Sequence, residues 1–134
     1  GHMLGVYPEG TLTRDANYWP MVAKTGLARL AVMTQAPVIP VAQWGAQEVL
    51  PAYSKKIKLF PRTKLQVKAG PPLDFSKWYG QEGDSAAMVE ATEYAMAAIT
   101  SILEELRGEK RPTEIFDPHN SALPRTGNFK KKSK

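Results

Sequence analysis

The sequence predicts an α/β domain, and three observations carry that expectation. Two short apolar runs, Leu4 to Tyr7 and Val38 to Gln43, flank a segment of helical periodicity. Two stretches that alternate charged and apolar residues, Lys56 to Phe60 and Lys64 to Ala69, are joined by the turn-like Pro61-Arg62-Thr63. A long amphipathic segment with a cap at each end follows Asp84. Strand, helix and strand at the first spacing predict a right-handed parallel crossover, and the alternating pair predicts a hairpin, so the sheet is expected to be mixed.

In order, Leu4 to Tyr7 reads as a short buried strand that Pro8 ends, and residues 9–20, with Gly10, Asp15, Asn17 and Pro20, read as loop. A helix is expected from about Met21 to Thr34, its apolar stripe at Leu27, Leu30 and Ala31 and Lys24 in its first turn, with Gly26 explained by close packing. Ala36-Pro37 breaks the chain before the second strand, and Gly45 to Leu50 reads as a helical turn. Gly70-Pro71-Pro72 stops the hairpin. Asp84 or Ser85 caps the last helix, whose apolar face is Met88, Thr92, Ala95, Met96, Ile99, Ile102, Leu103 and Leu106, and Gly108 ends it. Residues 109–134, with Pro112, Pro118, Pro124 and the closing lysines, have the composition of a basic, flexible tail.

At 134 residues with 43% apolar content, the chain suits one domain with a real core. It has no cysteine, which excludes disulfides and thiol chemistry, and its net charge of +5 fits anionic partners: phosphate-bearing substrates, an acidic membrane surface or nucleic acid. No apolar run reaches the ~20 residues needed to span a bilayer. Trp19, Trp44 and Trp78 read as apolar anchors. Gly1-His2-Met3 reads as a cloning scar, so residues 4–108 are taken as the folded unit. Repeats, phosphate loops, dinucleotide motifs and metal clusters are not found, and no cofactor is expected.

The densest chemistry is Tyr7-Pro8-Glu9-Gly10-Thr11, where an apolar run delivers a carboxylate, a glycine and a hydroxyl without a gap. This block resembles the Pro-Glu-Gly-Thr block of the glycerolipid acyltransferases, the lysophosphatidic acid acyltransferase family. Lys24-Thr25-Gly26-Leu27-Ala28-Arg29-Leu30-Ala31 resembles the segment that follows it there, and Val38-Ile39-Pro40-Val41 resembles the family's later hydrophobic proline block. The resemblance implies a partial glycerolipid-acyltransferase-type fold and the C-terminal part of an acyltransferase domain over residues 4–108. In that family the catalytic His, with Asp five positions later, lies upstream of the Pro-Glu-Gly-Thr block. Here His119 is followed at the fifth position by Pro124, so no catalytic residue is assigned and this polypeptide is expected to be an inactive fragment of an enzyme.

Acyl transfer to a hydroxyl needs a base, donors for the oxyanion and positive charge for an acceptor phosphate. The resemblance implies acceptor binding by Glu9, Gly10 and Thr11. Glu9 suits an acceptor hydroxyl or a neighbouring cation, and Gly10 permits close backbone approach. The commoner family form has Arg directly after the Thr, whereas Leu12 stands here, so Arg14 and Lys24 are the candidate phosphate cations. The implied reaction moves an acyl chain from acyl-CoA or acyl-carrier protein to lysophosphatidic acid, in phospholipid biosynthesis at the cytoplasmic face of the cell membrane, with peripheral association in the parent protein. Alternatives are another lysophospholipid or glycolipid acceptor, a silent interaction module, or a basic nucleic-acid-binding module, although no groove-reading motif favours nucleic acid. Two strands that lack covering layers would leave a bare apolar face, so the fragment is also expected to self-associate or to fold its tail over that face.

Overall fold

In the computed structural model, which describes residues 1–121, the organising element is a long helix. In chain order, α1 spans Gly26–Thr34, β1 Val41–Trp44, α2 Ala46–Val49, β2 Gln66–Ala69 and the long helix, α3, Ser85–Arg107. Asp84 starts α3 by accepting the N–H groups of Ala86 at 2.8 Å and Ala87 at 3.3 Å, two of the donors that a helix start leaves open. Gly108 ends it at φ 66°, a left-handed conformation that costs glycine little, with its N–H on the Glu104 carbonyl at 2.8 Å.

Between these caps, Ala87, Met88, Ala91 and Ala95 form a buried stripe of mostly small side chains. Helix α1 lays Ala28, Ala31 and Val32 against it, and Phe75 and Trp78, around the 3₁₀ turn Ser76–Trp78, close that cluster. One turn or two further on, Ile102 and Leu103 pack with Trp19 and Ala42, extended by Trp44, Ile99 and Leu106. A single helix therefore supplies one wall of two cores, the first against α1 and the second against the sheet.

Strands β1 and β2 pair antiparallel, with Val41 opposite Ala69 and Trp44 opposite Gln66. Beyond them, the Gly70 N–H reaches the Pro40 carbonyl at 2.9 Å and Val38 bridges Leu73. Pro40 has no N–H to give, which splits one antiparallel run into a strand and an isolated bridge. The face carrying Ala42, Trp44, Gln66 and Lys68 meets α3: Gln66 Nε2 donates to the Leu106 carbonyl at 3.5 Å, and Lys68 is paired with Glu105. On the opposite face Val41 and Val67 are exposed.

Several elements differ from the sequence expectation. Leu4 to Tyr7 is not a strand: Leu4, Val6 and Tyr7 are exposed, and the described residues hold only the two-stranded sheet, so a parallel crossover has no first strand. The hairpin is not formed either, because the Lys58 N–H is taken by the Val49 carbonyl at 2.8 Å, while Gln66–Ala69 pairs with β1 over α3. Helix α1 starts at Gly26 rather than Met21. The backbone donors of Met21, Val22 and Lys24 are occupied by Glu9, the Phe116 carbonyl and the Pro8 carbonyl, which holds residues 20–24 extended. Part of the stretch expected as tail runs back over the body: Phe116 accepts from Val22, and the Arg111 N–H donates to Glu104 Oε1 at 2.9 Å. Residues 122–134, with Pro124 and the closing lysines, lie outside the described residues.

The end of α3 is clamped by a contact between aromatic faces and a cation. The Arg107 guanidinium lies 3.9 Å from the centroid of the Trp19 ring system and 4.2 Å from that of Trp44, its Nη1 donates to the Asn17 carbonyl at 2.8 Å, and its side chain is only 7% exposed. Flat and weakly hydrated, guanidinium suits such a slot better than an ammonium does. Arg107→Ala is expected to destabilise the fold by about 2 kcal/mol, and Arg107→Lys to recover less than half of it, as read from urea unfolding.

Candidate functional site

The Pro-Glu-Gly block is a turn. The Gly10 N–H bonds the Tyr7 carbonyl at 3.0 Å, and Gly10 itself takes φ 68°, where a side chain would be strained. Lys24 comes alongside from the next segment: its N–H donates to the Pro8 carbonyl at 3.0 Å, and its Nζ sits 3.1 Å from where a Gly10 β-carbon would stand. Glycine here thus serves both the turn and the passage of the lysine side chain. Lys24 precedes the start of α1, with Thr25 between them and Gly26, instead of lying inside its first turn.

Glu9 is half-buried, and one of its carboxylate oxygens, Oε2, is buried without a hydrogen-bond partner among the described residues. Burial pushes its carboxyl up to about 7, and the Met21 backbone N–H, by favouring the charged form, holds back part of that rise. At neutral pH the group therefore divides between a neutral acid that can donate and a carboxylate that accepts. A polar group of this kind, in a turn that a lysine side chain passes at Gly10, is equipped to bind a polar ligand through either form.

Of the five residues singled out from sequence, the fold brings Glu9, Gly10 and Lys24 into one cluster. Thr11 follows them, half-buried. Arg14, the other candidate phosphate cation, is buried, at 5% exposed. Its neighbours explain the inward course of the chain: Thr13 Oγ1 donates to the Trp19 carbonyl at 2.6 Å, and Asp15 Oδ1 accepts the N–H groups of Asn17 at 2.9 Å and Trp19 at 3.1 Å. This tight loop turns Trp19 into the second core.

Sequence reasoning did not find the groove on the other side of the extended segment. About 440 Å³ in volume, it lies between Trp19 to Ala23, the α3 face bearing Val89, Thr92 and Met96, and the returning residues Ile115 and Phe116. Val89 and Met96 come from the helical periodicity, but nothing local in the sequence says that residues 111–116 return to roof them. Met21 belongs to both places, since it lines the groove while its N–H faces Glu9. Among the described residues, no group of His, Asp and Glu is placed to hold a metal ion, and no helix is long and apolar enough to cross a membrane.

Residues 1–44 match the model of the Acyltransferase family, a span that holds all five candidate residues and the strand β1. The match covers the first third of the chain and supports an acyltransferase relationship, hence acyl transfer in general terms. No curated protein and no solved structure matches the chain.

The raised Glu9 carboxyl has a consequence for stability. Its proton is held more tightly folded than unfolded, so its contribution to stability is fully present below about pH 4.5 and is lost as pH rises through about 7. Urea unfolding should therefore show stability falling by about 2 kcal/mol between pH 5 and pH 8, and Glu9→Gln should flatten that part of the profile.

Proposed function

We propose that this chain is the acceptor-binding part of an acyltransferase that moves an acyl chain from acyl-CoA or acyl-carrier protein to lysophosphatidic acid in phospholipid biosynthesis. The observation that carries the reading is the cluster of Glu9, Gly10 and Lys24 inside the span that matches the Acyltransferase model. Lys24 supplies the cation for the acceptor phosphate, and the Gly10 turn lets backbone and ligand approach. Glu9, when neutral, adds no repulsion toward a phosphate and can donate to it; when charged, it accepts from a glycerol hydroxyl.

Thr11 offers a further hydroxyl, whereas Arg14 is buried. The groove behind Met21 offers an apolar chain a place one segment away from the polar cluster. Leu12 is 58% exposed where the commoner family form carries Arg, and this favours widening the acceptor class to other lysophospholipids and to glycolipids. The parent enzyme would work at the cytoplasmic face of the membrane, meeting its acceptor there.

Two measurements test this reading. Calorimetric titration with lysophosphatidic acid below its micelle concentration should show saturable binding, weakened about tenfold by Lys24→Ala and by Glu9→Ala without change in the circular dichroism spectrum. Binding that ignores both substitutions would remove the cluster from the acceptor site. Mixed with acyl-CoA and lysophosphatidic acid, the 134-residue chain should release no CoA above background, because it holds no His with Asp five positions on; turnover sensitive to Glu9→Gln would contradict this.

A further inference from the structure

Between Glu48 and Asp74 the sequence has no acidic residue, yet it has Lys55, Lys56, Lys58, Arg62 and Lys64 before β2. All five are exposed, and none is paired with a carboxylate among the described residues. The same loop holds large apolar side chains out in water: Ile57 is 62% exposed, Leu59 66%, Phe60 84% and Leu65 57%. Burying side chains of this size is favourable, so four of them exposed in a single short loop is an arrangement that an isolated water-facing loop does not favour.

The loop is nevertheless fixed to the body at two points. Lys58 N–H bonds Val49 at 2.8 Å, and the Lys64 carbonyl packs so closely over Gly45, at φ 101°, that a side chain there would collide with it. Leu65 leads directly into β2, whose exposed Val67 continues the apolar surface toward Val41.

We propose that residues 54–65 are a docking loop for an anionic lipid surface, with Ile57, Leu59 and Phe60 entering the interface and the five cations lying at headgroup level. Charge complementarity chooses this partner: uncompensated cations gather beside aliphatic side chains, and such a mixture matches the acidic headgroups and acyl boundary of a bilayer. A nucleic acid would use the same cations, but it stacks on aromatic rings, and Phe60 is the only aromatic residue exposed in the loop. The proposal deepens the reading of a lipid acceptor by naming the surface that brings the protein to it. Its test requires no turnover and no acceptor, so either reading can fail while the other stands.

The 134-residue chain is sedimented with phosphatidylcholine vesicles, with and without phosphatidylserine, at low and raised salt. Binding should need phosphatidylserine and weaken with salt. Lys55→Glu with Lys58→Glu should weaken it at least about 25-fold, at about fivefold for each cation lost, and Leu59→Ser with Phe60→Ser should weaken it about tenfold or more with the helical spectrum unchanged. A variant with Lys130, Lys131 and Lys132 changed to Gln controls for the closing lysines and should keep most of the binding. Equal binding to neutral and acidic vesicles, no binding to either, or loss in the closing-lysine variant alone would overturn the proposal. So would loop variants that lose single-stranded RNA while keeping vesicles.

Discussion

The extended segment from Pro20 to Lys24 is the constraint on which the arrangement of the candidate site depends. In a helix starting at Met21 these N–H groups would be the open donors of the first turn, all directed along the helix axis instead of at Glu9, Pro8 and Phe116. Extended, the segment spends them outward: Met21 on the Glu9 carboxylate, Val22 on Phe116 and Lys24 on Pro8. Two stretches distant in sequence, residues 8–9 and Phe116, are thereby tied to one strip of backbone, with the net benefit of each bond being modest and the cost of leaving any buried donor open being larger.

That strip separates two environments of opposite character. On one side stand the turn, its half-buried carboxyl and the lysine; on the other lies the groove floored by α3. The long helix supplies rigidity to both because it forms a wall of each core, and the Arg107 clamp fixes its far end to Trp19, one residue before the strip begins. A polar ligand group and an apolar chain could therefore be held at a fixed separation by elements with little freedom of their own.

What was legible in the sequence was what local rules decide. Asp84, the alanine and methionine spacing and Gly108 specify α3 within one stretch of chain, and Pro8-Glu9-Gly10 specifies its turn in the same way. Residues 21–25 were misread because their helical pattern competes with partners at Pro8, Glu9 and Phe116, which no local pattern reveals. The strand Gln66–Ala69 was found, but its alternation says that it has one wet face and not which neighbour it takes; β1 with α3 beneath it won over the nearer stretch. Burial of Arg14 and the stacking of Arg107 were equally beyond reach, since each depends on the tertiary path of the Thr13 to Trp19 loop. Of the candidate site, the carboxylate, glycine and lysine were readable as residue types, whereas their meeting was not.

Met21 gives the carboxyl next to it an additional use. Its amide favours the ionised form of Glu9 while its side chain lines the groove, so any displacement of this residue is registered electrically on the far side of the strip. Retreat of the amide would raise the proton affinity of Glu9, and closer approach would lower it. Carbon-13 labelling of the glutamate side chains would turn the Glu9 titration into a built-in gauge of groove occupancy, readable by NMR with no probe placed in the groove itself.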